Sequence, residues 1–309
     1  MEKVYYAKTN SKINRLGFGA WQLGNALWGD MNEQDGILLA KEAIKEGINF
    51  FDTAPGYGSG MSERILGIAI FGQRDKVVIN TKLGHKANGH ADFSVESLEN
   101  QVLDSLKRID ITYLDSVILH NPSMAILEGK TPHFEVLNQI RQKGLIRAYG
   151  VSIDTFDELK AVLSHGKVDV VEILFNVFFQ GALPLFKEAK EKGISLIAKV
   201  PLDSGWLTGK YDETSVFTGI RSRWDNKTIS RRSALIKQIQ DKVLEKDITK
   251  YAIAFILSFD EITAVIPGMK DLNQLHDHLS NVSLKLEPAI KTFFMDLYEK
   301  QIKDNPLSW

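Results

Sequence analysis

Short runs of apolar residues, many of them β-branched, alternate along the chain with longer segments whose apolar positions recur at helical spacing. The runs of strand length are residues 16–20, 48–54, 77–82, 114–120, 146–153, 170–176, 195–202 and 263–267. The segments of helical period are residues 32–46, 62–71, 94–109, 134–143, 155–165, 183–192, 249–259 and 272–282. Unbroken apolar strands separated by helices are typical of a parallel sheet that helices cover. The pattern therefore predicts eight strand–helix units.

Three of the helical segments end in the same way, with a charged residue followed by glycine and then an apolar strand. These junctions are at residues 46–47, 143–144 and 192–193. Glycine readily adopts the left-handed backbone conformation that ends a helix. Each junction therefore predicts a helix C-terminus directly before a strand.

Eight such units fit a (β/α)8 TIM barrel, a fold that typically takes about 250 residues. We predict a single α/β domain over residues 1–309, with a short N-terminal β-hairpin before the barrel and a C-terminal helix after it. Periodicity does not show closure, so an open, doubly wound sheet is the alternative. Residues 84–93 and 203–227 exceed ordinary loop length and are predicted to be lids or binding loops.

Composition narrows the class of partner. The chain has 38 basic and 39 acidic residues and a formal net charge of −1, so no strong field would attract nucleic acid or an acidic membrane. We find no apolar run of membrane-spanning length and no secretory signal pattern, and we expect a cytoplasmic protein that acts on small molecules. The absence of cysteine excludes disulfides and thiolate chemistry. We expect no metal site, and the sequence does not indicate an oligomeric state.

Three consecutive predicted strands end on a polar side chain, namely Asp52, Lys82 and His120. The C-terminal ends of barrel strands share one mouth, where active sites lie. Neighbouring strands are about 5 Å apart, so the three groups are expected to converge. Tyr57, in the glycine-flanked loop 56–58, is close enough in sequence to fold over them.

This set of side chains suits the reduction of a carbonyl group. Hydride addition produces an alkoxide that must be protonated, and a phenol with its ordinary pKa of about 10 is a slow acid. We expect Lys82 to lower the pKa of Tyr57, Asp52 to hold Lys82 charged, and His120 to donate a hydrogen bond to the reacting oxygen. Taken singly, each group is more often a structural ion pair or a rim residue, so the prediction depends on the four together.

The residues around these four positions resemble the aldo-keto reductase family. The sequence FDTAPGYG at residues 51–58, followed by Ser62-Glu63, is similar to the family's Asp-Thr-Ala-x-x-Tyr-Gly signature. The sequence LDSVILH at residues 114–120 is similar to its Leu-Asp-x-x-x-x-His segment. Further matches lie at residues 80–82, 150–152, 201–211 and 266–268. The resemblance implies an enzyme that reduces an aldehyde, ketone or sugar-like carbonyl compound, with NADPH favoured over NADH.

The resemblance also implies a cofactor that lies across the barrel mouth without a Rossmann domain. Residues 17–22 (GFGAWQ) fail the dinucleotide fingerprint at its third glycine. Lys270 and the helix after residues 268–271 are expected to hold an adenosine 2′-phosphate. Ser152 is implied to bind the nicotinamide carboxamide. The complete set of implied cofactor contacts is Ala20, Trp21, Asp52, Ser152, Glu172, Lys199, Val200, Pro201, Leu202, Ser204, Lys210, Gly268, Met269, Lys270, Gln274 and His278.

Several of these positions depart from the family pattern. Ile153 stands where an asparagine is usual, Glu172 where a glutamine is frequent, and Lys199 where an aromatic ring commonly stacks on the nicotinamide. Gln274 and His278 also differ from the usual residues. Because Glu172 and Lys199 end neighbouring strands, we expect them to form an ion pair beneath the nicotinamide.

The substrate side is predicted to be lined by aromatic and polar residues of the loops, which suits a carbonyl compound with an apolar or sugar-like body. The candidates are Trp28, Tyr57, His85, His120, Asn121 and Trp206. For the tryptophans, plain packing is an equally good interpretation. Arg221 and Arg223 are candidates for attracting an anion, but solvated loop charge is the simpler interpretation.

Two other functions remain open at this point. One is a regulatory subunit that binds NADP(H), senses redox state and turns over slowly, as in the channel-associated members of the superfamily that the chain resembles. The other is a lyase that uses Lys82 or Lys199 as a Schiff base. The filled catalytic positions favour the reductase.

Overall fold

Eight parallel strands form the centre of the computed structural model, which describes residues 3–26 and 31–308. Two more strands form the N-terminal hairpin, so that in chain order the strands of the described residues are β1 (Lys3–Tyr5), β2 (Lys12–Asn14), β3 (Phe18–Gly19), β4 (Phe50–Asp52), β5 (Val78–Leu83), β6 (Leu114–His120), β7 (Ile146–Ile153), β8 (Val170–Leu174), β9 (Ser195–Lys199) and β10 (Ile262–Val265). Strands β3 to β10 pair in chain order, each parallel to the next.

The first and last of these eight strands also pair with each other. Parallel bridges join Leu16 to Val265 and Gly19 to Gly268. The amide of Gly17 donates to the carbonyl of Val265 at 2.8 Å. A Cβ on Gly19 would lie 2.7 Å from the carbonyl oxygen of Ile266, so only glycine allows this approach. The sheet is therefore closed, which confirms the TIM barrel and excludes the doubly wound alternative.

Helices surround the barrel. In chain order they are α1 (Glu33–Lys45), α2 (Met61–Ile70), α3 (Leu98–Ile109), α4 (Met124–Leu127), α5 (His133–Gln142), α6 (Phe156–His165), α7 (Phe186–Glu191), α8 (Asn226–Val243), α9 (Thr249–Leu257), α10 (Leu272–Asn281) and α11 (Pro288–Gln301). Within the described part of the chain, no helix has the length and apolarity that a bilayer crossing requires.

The local signals for helix ends act as the sequence predicts. Gly47, Gly144 and Gly193 have φ angles of 93°, 78° and 68°, in the left-handed region that ends a helix before a strand. Thr155 and Glu158 form a reciprocal capping box at the start of α6. The predicted helix 183–192 begins instead as a 3-10 turn that contains Pro184, and the α-helical part starts only at Phe186.

Helix α8 is the main element that the sequence pattern did not predict. It follows directly on the long segment predicted as a loop, and most of its residues are polar. Its few apolar positions, including Leu235, Ile236 and Ile239, pack into the core. A stripe this narrow is weak evidence for a helix when only the sequence is known.

The N-terminal hairpin closes the end of the barrel opposite the strand C-termini. Strands β1 and β2 pair antiparallel, and Tyr6, in the hairpin between them, is fully buried inside the barrel. Its ring lies 5.1 Å from that of Phe50, at the start of β4. The amide of Ala7 donates at 2.9 Å to the hydroxyl of Ser195, at the start of β9. The hairpin therefore plugs the base, and the opposite mouth is left for a ligand.

Candidate active site

A cavity of about 1060 Å³ opens at the C-terminal mouth of the barrel. The predicted catalytic residues Asp52, Tyr57 and His120 line it, together with Glu172. Lys82 is only 1% exposed and contacts Asp52 and Glu172. We call these five residues the catalytic floor. The strands thus bring together the four side chains that the sequence singled out, with one further carboxylate.

Lys82 lies between two carboxylates. Its ammonium donates to Asp52 Oδ1 and, at 3.2 Å, to the carbonyl of Thr53. It lies 3.2 Å from Glu172 Oε2, and all three side chains of this ionic group are at most 3% exposed. Burial by itself would lower the pKa of Lys82. The charges of Asp52 and Glu172 act in the opposite direction and more strongly, so the pKa lies well above its ordinary value. Lys82 is therefore a permanent cation in the floor.

The two carboxyl groups differ in their affinity for a proton. Burial and the neighbouring charge of Glu172 raise the pKa of Asp52 to about 7 in spite of Lys82. Burial also acts to raise the pKa of Glu172, but Lys82 and Lys199 lower it more, to below its ordinary value. Glu172 is consequently ionised near neutral pH, whereas Asp52 titrates there.

Tyr57 covers the lysine from the side of the cavity. Its ring stacks on Trp21 at 5.9 Å and meets the His120 ring edge-on at 6.4 Å. The ammonium of Lys82 lies 5.2 Å from the centre of the phenol ring. The tight turn of the loop needs glycine at position 58, which has a φ of 56° and where a Cβ would lie 2.4 Å from the carbonyl oxygen of Gly24.

The predicted effect of Lys82 on the phenol is present but is not dominant. Burial raises the pKa of Tyr57 above its ordinary value, and the attraction of Lys82 offsets only part of this rise. The expectation of a phenol more acidic than usual is therefore wrong for this structure. The physical reason is that burial destabilises a phenolate more than the ammonium of Lys82 stabilises it, because Asp52 and Glu172 partly neutralise that ammonium.

His120 is neutral. Burial lowers the pKa of its imidazole well below the ordinary value, and the cations Lys82 and Lys199 lower it further. The ring of His85 meets it edge-on at 5.2 Å. Its Nδ1 is buried without a hydrogen-bond partner among the described residues. A neutral imidazole carries one N–H, so His120 can donate a single hydrogen bond into the cavity.

Lys199 does not form the ion pair that the sequence suggested. Its ammonium pairs with Asp154 Oδ1 at 2.9 Å and donates to Ser152 Oγ at 2.8 Å. Glu172 pairs instead with Lys82, and its other oxygen accepts from Ser152 Oγ at 3.4 Å. The expected pair is wrong because Asp154, just past the end of β7, reaches Lys199 first. Asp154 was missed because it follows the apolar run and matches no motif.

Most of the cofactor contacts implied by the resemblance line the cavity. They are Ala20, Trp21, Asp52, Glu172, Lys199, Val200, Pro201, Leu202, Ser204, Lys210, Gly268, Lys270, Gln274 and His278. Ser152 and Met269 do not, since both are fully buried. The hydroxyl of Ser152 is engaged by Lys199 and Glu172, and Met269 packs into the hydrophobic core.

The predicted substrate residues divide in the same way. Tyr57, His120 and Asn121 line the cavity. His85 is not among the lining residues, and its ring contacts that of His120. Trp28 lies outside the described residues. Trp206 is wrong as a substrate contact because it is fully buried.

Trp206 belongs to an aromatic cluster with Tyr211, Phe217 and Trp224, whose ring centres lie 4.9 to 5.7 Å apart. The cluster forms the inside of the long segment after β9. A buried ion pair between Asp203 and Arg232 ties that segment to α8. The plain packing interpretation of this tryptophan therefore holds.

Three cations border the other side of the cavity. Lys210, Arg221 and Lys270 line it and form what we call the cationic rim. Burial lowers the pKa of Lys210, and the charges of Arg221 and Lys270 lower it further. Arg221 was interpreted from the sequence as a solvated loop charge, but it faces the cavity and donates at 2.9 Å to the carbonyl of Ser204. The rim is therefore a concentration of positive charge suited to an anionic ligand.

Comparison with known proteins agrees with this geometry. The model of the Aldo/keto reductase family matches residues 15–289. The chain belongs to this family. An NADH-specific methylglyoxal reductase of Escherichia coli is 29% identical, over 97% of this chain and 99% of the relative. An L-galactose dehydrogenase of Arabidopsis thaliana is 29% identical, over 89% and 86%.

The fold of the family is also found among solved structures. An aldo-keto reductase from Bacillus halodurans in its holo form superposes with a TM-score of 0.81, at 22% sequence identity over 96% of both chains. As a member of the aldo/keto reductase family, the chain is an oxidoreductase that acts on small carbonyl compounds.

Aldo/keto reductases use nicotinamide cofactors, and the cavity fits such a group. The cationic rim offers three positive side chains to phosphate oxygens. At the same end His278 lines the cavity, and its buried Nδ1 has no partner among the described residues. In the catalytic floor, the buried Nδ1 of His120, which also lines the cavity, likewise has no hydrogen-bond partner among the described residues. Buried polar atoms without hydrogen-bond partners at both ends of one cavity suit an elongated polar ligand.

Proposed function

We propose that the chain reduces an aldehyde or a ketone to an alcohol with NADPH as the hydride donor. The observation that carries this proposal is the catalytic floor, in which Lys82 is held by two buried carboxylates beside Tyr57 and His120. The cofactor would lie between this floor and the cationic rim. When bound, the reduced nicotinamide supplies the hydride for the carbonyl carbon.

Tyr57 is proposed to protonate the oxygen that becomes an alkoxide. An alkoxide is a far stronger base than a phenolate, so the proton transfer is favourable even though burial raises the pKa of Tyr57. The permanent charge of Lys82 then stabilises the phenolate that remains. In this proposal Asp52 holds Lys82 in place and does not itself exchange a proton with the substrate.

His120 is proposed to bind the carbonyl oxygen. Because its imidazole is neutral, it donates one hydrogen bond and does not compete with Tyr57 as an acid. A donor aimed at the position where negative charge develops lowers the barrier of the addition. Asn121, Asp154 and Lys199 border the same part of the cavity, so a small and oxygen-rich substrate is favoured over a wholly apolar one.

The choice of NADPH over NADH is supported by the cationic rim. Three cations around one end of the cavity would bind a 2′-phosphate that NADH lacks. The E. coli relative is named as NADH-specific, so this preference is the part of the proposal that most needs a direct measurement.

The test is a fluorescence titration with NADPH and with NADH, followed by turnover measurements on a panel of small aldehydes and ketones. We expect tighter NADPH binding, and turnover that the Tyr57→Phe variant loses by about 10²- to 10⁴-fold while its cofactor affinity persists. Equal activity of the variant would contradict Tyr57 as the acid. Tight cofactor binding with hardly any turnover of the wild type would support the regulatory subunit instead.

A further inference from the structure

A chain of hydrogen bonds runs through the barrel interior from the catalytic floor to the N-terminal plug. Asn80 Nδ2 donates to Asp52 Oδ2 at 2.6 Å, and Ser116 Oγ donates to Asn80 Oδ1 at 2.6 Å. The hydroxyl of Tyr6 lies 2.6 Å from Ser116 Oγ. All four residues are at most 2% exposed, so these contacts are shielded from water.

The number of protons on each group determines which one donates in each hydrogen bond of this series. Ser116 has one hydroxyl proton and uses it for Asn80 Oδ1, so it can only accept from Tyr6. The opposite orientation of the Asn80 amide would place its oxygen against the Asp52 carboxylate, which ionised Asp52 disfavours. Every donor in the series therefore points toward Asp52: Tyr6 to Ser116, Ser116 to Asn80, and Asn80 to the carboxylate.

We propose that Tyr6, Ser116 and Asn80 are positioning residues, which act on the active site through Asp52 and couple the N-terminal plug to Lys82. This inference rests on the proposed reductase function. It adds three residues, none of which lines the cavity, to the machinery of the reaction.

The physical basis is cooperative polarisation. Hydrogen bonds that follow one another in the same direction strengthen each other, and the last one stabilises the ionised form of the acceptor. The series therefore opposes the burial that disfavours a charged Asp52. It also fixes Oδ2 toward Asn80, so that Oδ1 is presented to the ammonium of Lys82.

The other titratable groups that face Asp52 come from several elements. Lys82 is on β5, Glu172 is on β8, Tyr57 is in the loop after β4, and Tyr6 is in the N-terminal hairpin, directly after β1. The variants proposed below leave Lys82, Glu172 and Tyr57 in place. A change in the titration of Asp52 would therefore report the hydrogen-bond series rather than a lost charge.

The simplest alternative is that these polar side chains merely satisfy each other inside the barrel. Ser195→Ala provides a matched control. This variant also removes one buried hydrogen bond of the same hairpin, in which the hydroxyl of Ser195 accepts from the amide of Ala7. Ser195 has no part in the series. A purely structural role predicts equivalent effects for Tyr6→Phe and Ser195→Ala.

The experiment compares wild type, Tyr6→Phe, Ser116→Ala and Ser195→Ala by the pH dependence of kcat/KM and of the free energy of unfolding. Without the donor series the pKa of Asp52 should rise. We expect the acid limb of kcat/KM to move to higher pH by about half a unit to one unit in Tyr6→Phe and Ser116→Ala, and to stay in place in Ser195→Ala. Tyr6→Phe combined with Ser116→Ala should add little to the larger single effect, because the series is already broken.

The unfolding measurement needs no cofactor or substrate. The destabilisation by Tyr6→Phe should grow as the pH rises from about 4 to about 8, because the lost bonds favour only the ionised form of Asp52. That of Ser195→Ala should not change with pH. Wild-type pH dependence of both quantities in Tyr6→Phe would overturn the proposal. A wild type that reduces no carbonyl compound would end the proposed function, and the unfolding data would still decide whether the series acts on Asp52.

Discussion

The catalytic floor and the cationic rim differ in how their positive charges are neutralised. In the catalytic floor the cation Lys82 is paired with two buried carboxylates of the protein itself. On the cationic rim, the charges of Arg221 and Lys270 add to burial in lowering the pKa of Lys210. The cation of the floor is thus paired within the protein, whereas the rim brings three positive side chains together at one cavity, which suits an anionic ligand. The floor is expected to determine the chemistry and the rim to determine the ligand.

The largest effect should come from breaking the floor. Lys82→Met would leave Asp52 and Glu172 buried side by side without a cation. We expect turnover to fall by about 10²-fold or more, and stability to fall by about 3–5 kcal/mol near neutral pH, as when one partner of a buried ion pair is removed. Steady-state kinetics and denaturant unfolding measure the two losses.

A second variant separates these two losses. Lys82→Met combined with Glu172→Gln has one buried carboxyl group fewer, so we expect part of the stability to return while turnover stays low. Recovery of turnover in the double variant would show that the ammonium has no role beyond neutralising charge.

An intermediate effect should come from the rim. Lys270→Met removes one cation from the expected phosphate site, and we expect NADPH affinity to fall about tenfold to a hundredfold with little change for NADH. Fluorescence titration measures both affinities. Lys187→Met, at a lysine side chain that is 82% exposed, is the control. An equal loss for both cofactors would place the role of Lys270 elsewhere than at the 2′-phosphate.

The smallest effect should be a pH shift within the floor. After burial, the charge of Glu172 is the main cause that raises the pKa of Asp52. Glu172→Gln removes that charge, so the pKa of Asp52 should fall and the acid limb of kcat/KM should move to lower pH, by about one unit. A pH–rate profile measures it, and an unmoved acid limb would mean that Asp52 does not control that limb.

The same variant also has a signature in stability. Because the folded-state pKa of Asp52 is raised, its neutral form stabilises the fold at low pH, and this stabilisation is lost as the pH rises through the folded pKa, about 7 in the wild type. In Glu172→Gln that loss should be complete at lower pH. Unfolding free energies between about pH 4 and about pH 8 would show the change.

The barrel and the positions of the candidate catalytic residues could be predicted because their signals are local in sequence. An apolar run that ends on Asp52, Lys82 or His120 indicates both the strand and the direction of its last side chain. Helix α8 could not be predicted in this way, since its sequence is mostly polar and its helical form depends on packing against the rest of the fold.

The remaining misses concern contacts between distant segments. Whether Glu172 pairs with Lys82 or with Lys199 depends on distances across the barrel, and neighbouring strand ends do not determine them. The pKa of Tyr57 depends on how deeply the folded loop covers the ring. Asn80 and Ser116 lie within buried strands. The sequence alone does not show whether such a polar residue takes part in a hydrogen-bond series or has only a local partner.

The segment after β9 carries its own aromatic cluster and is fastened to α8 by the ion pair of Asp203 and Arg232. Because this cluster packs as part of the main hydrophobic core and the ion pair holds the segment to α8, the segment and α8 form one structural unit. In chimaeras, it should therefore be exchanged between relatives together with α8 rather than altered one position at a time. Lys270 lies outside this segment, so changing the whole cationic rim would need a separate exchange after β10.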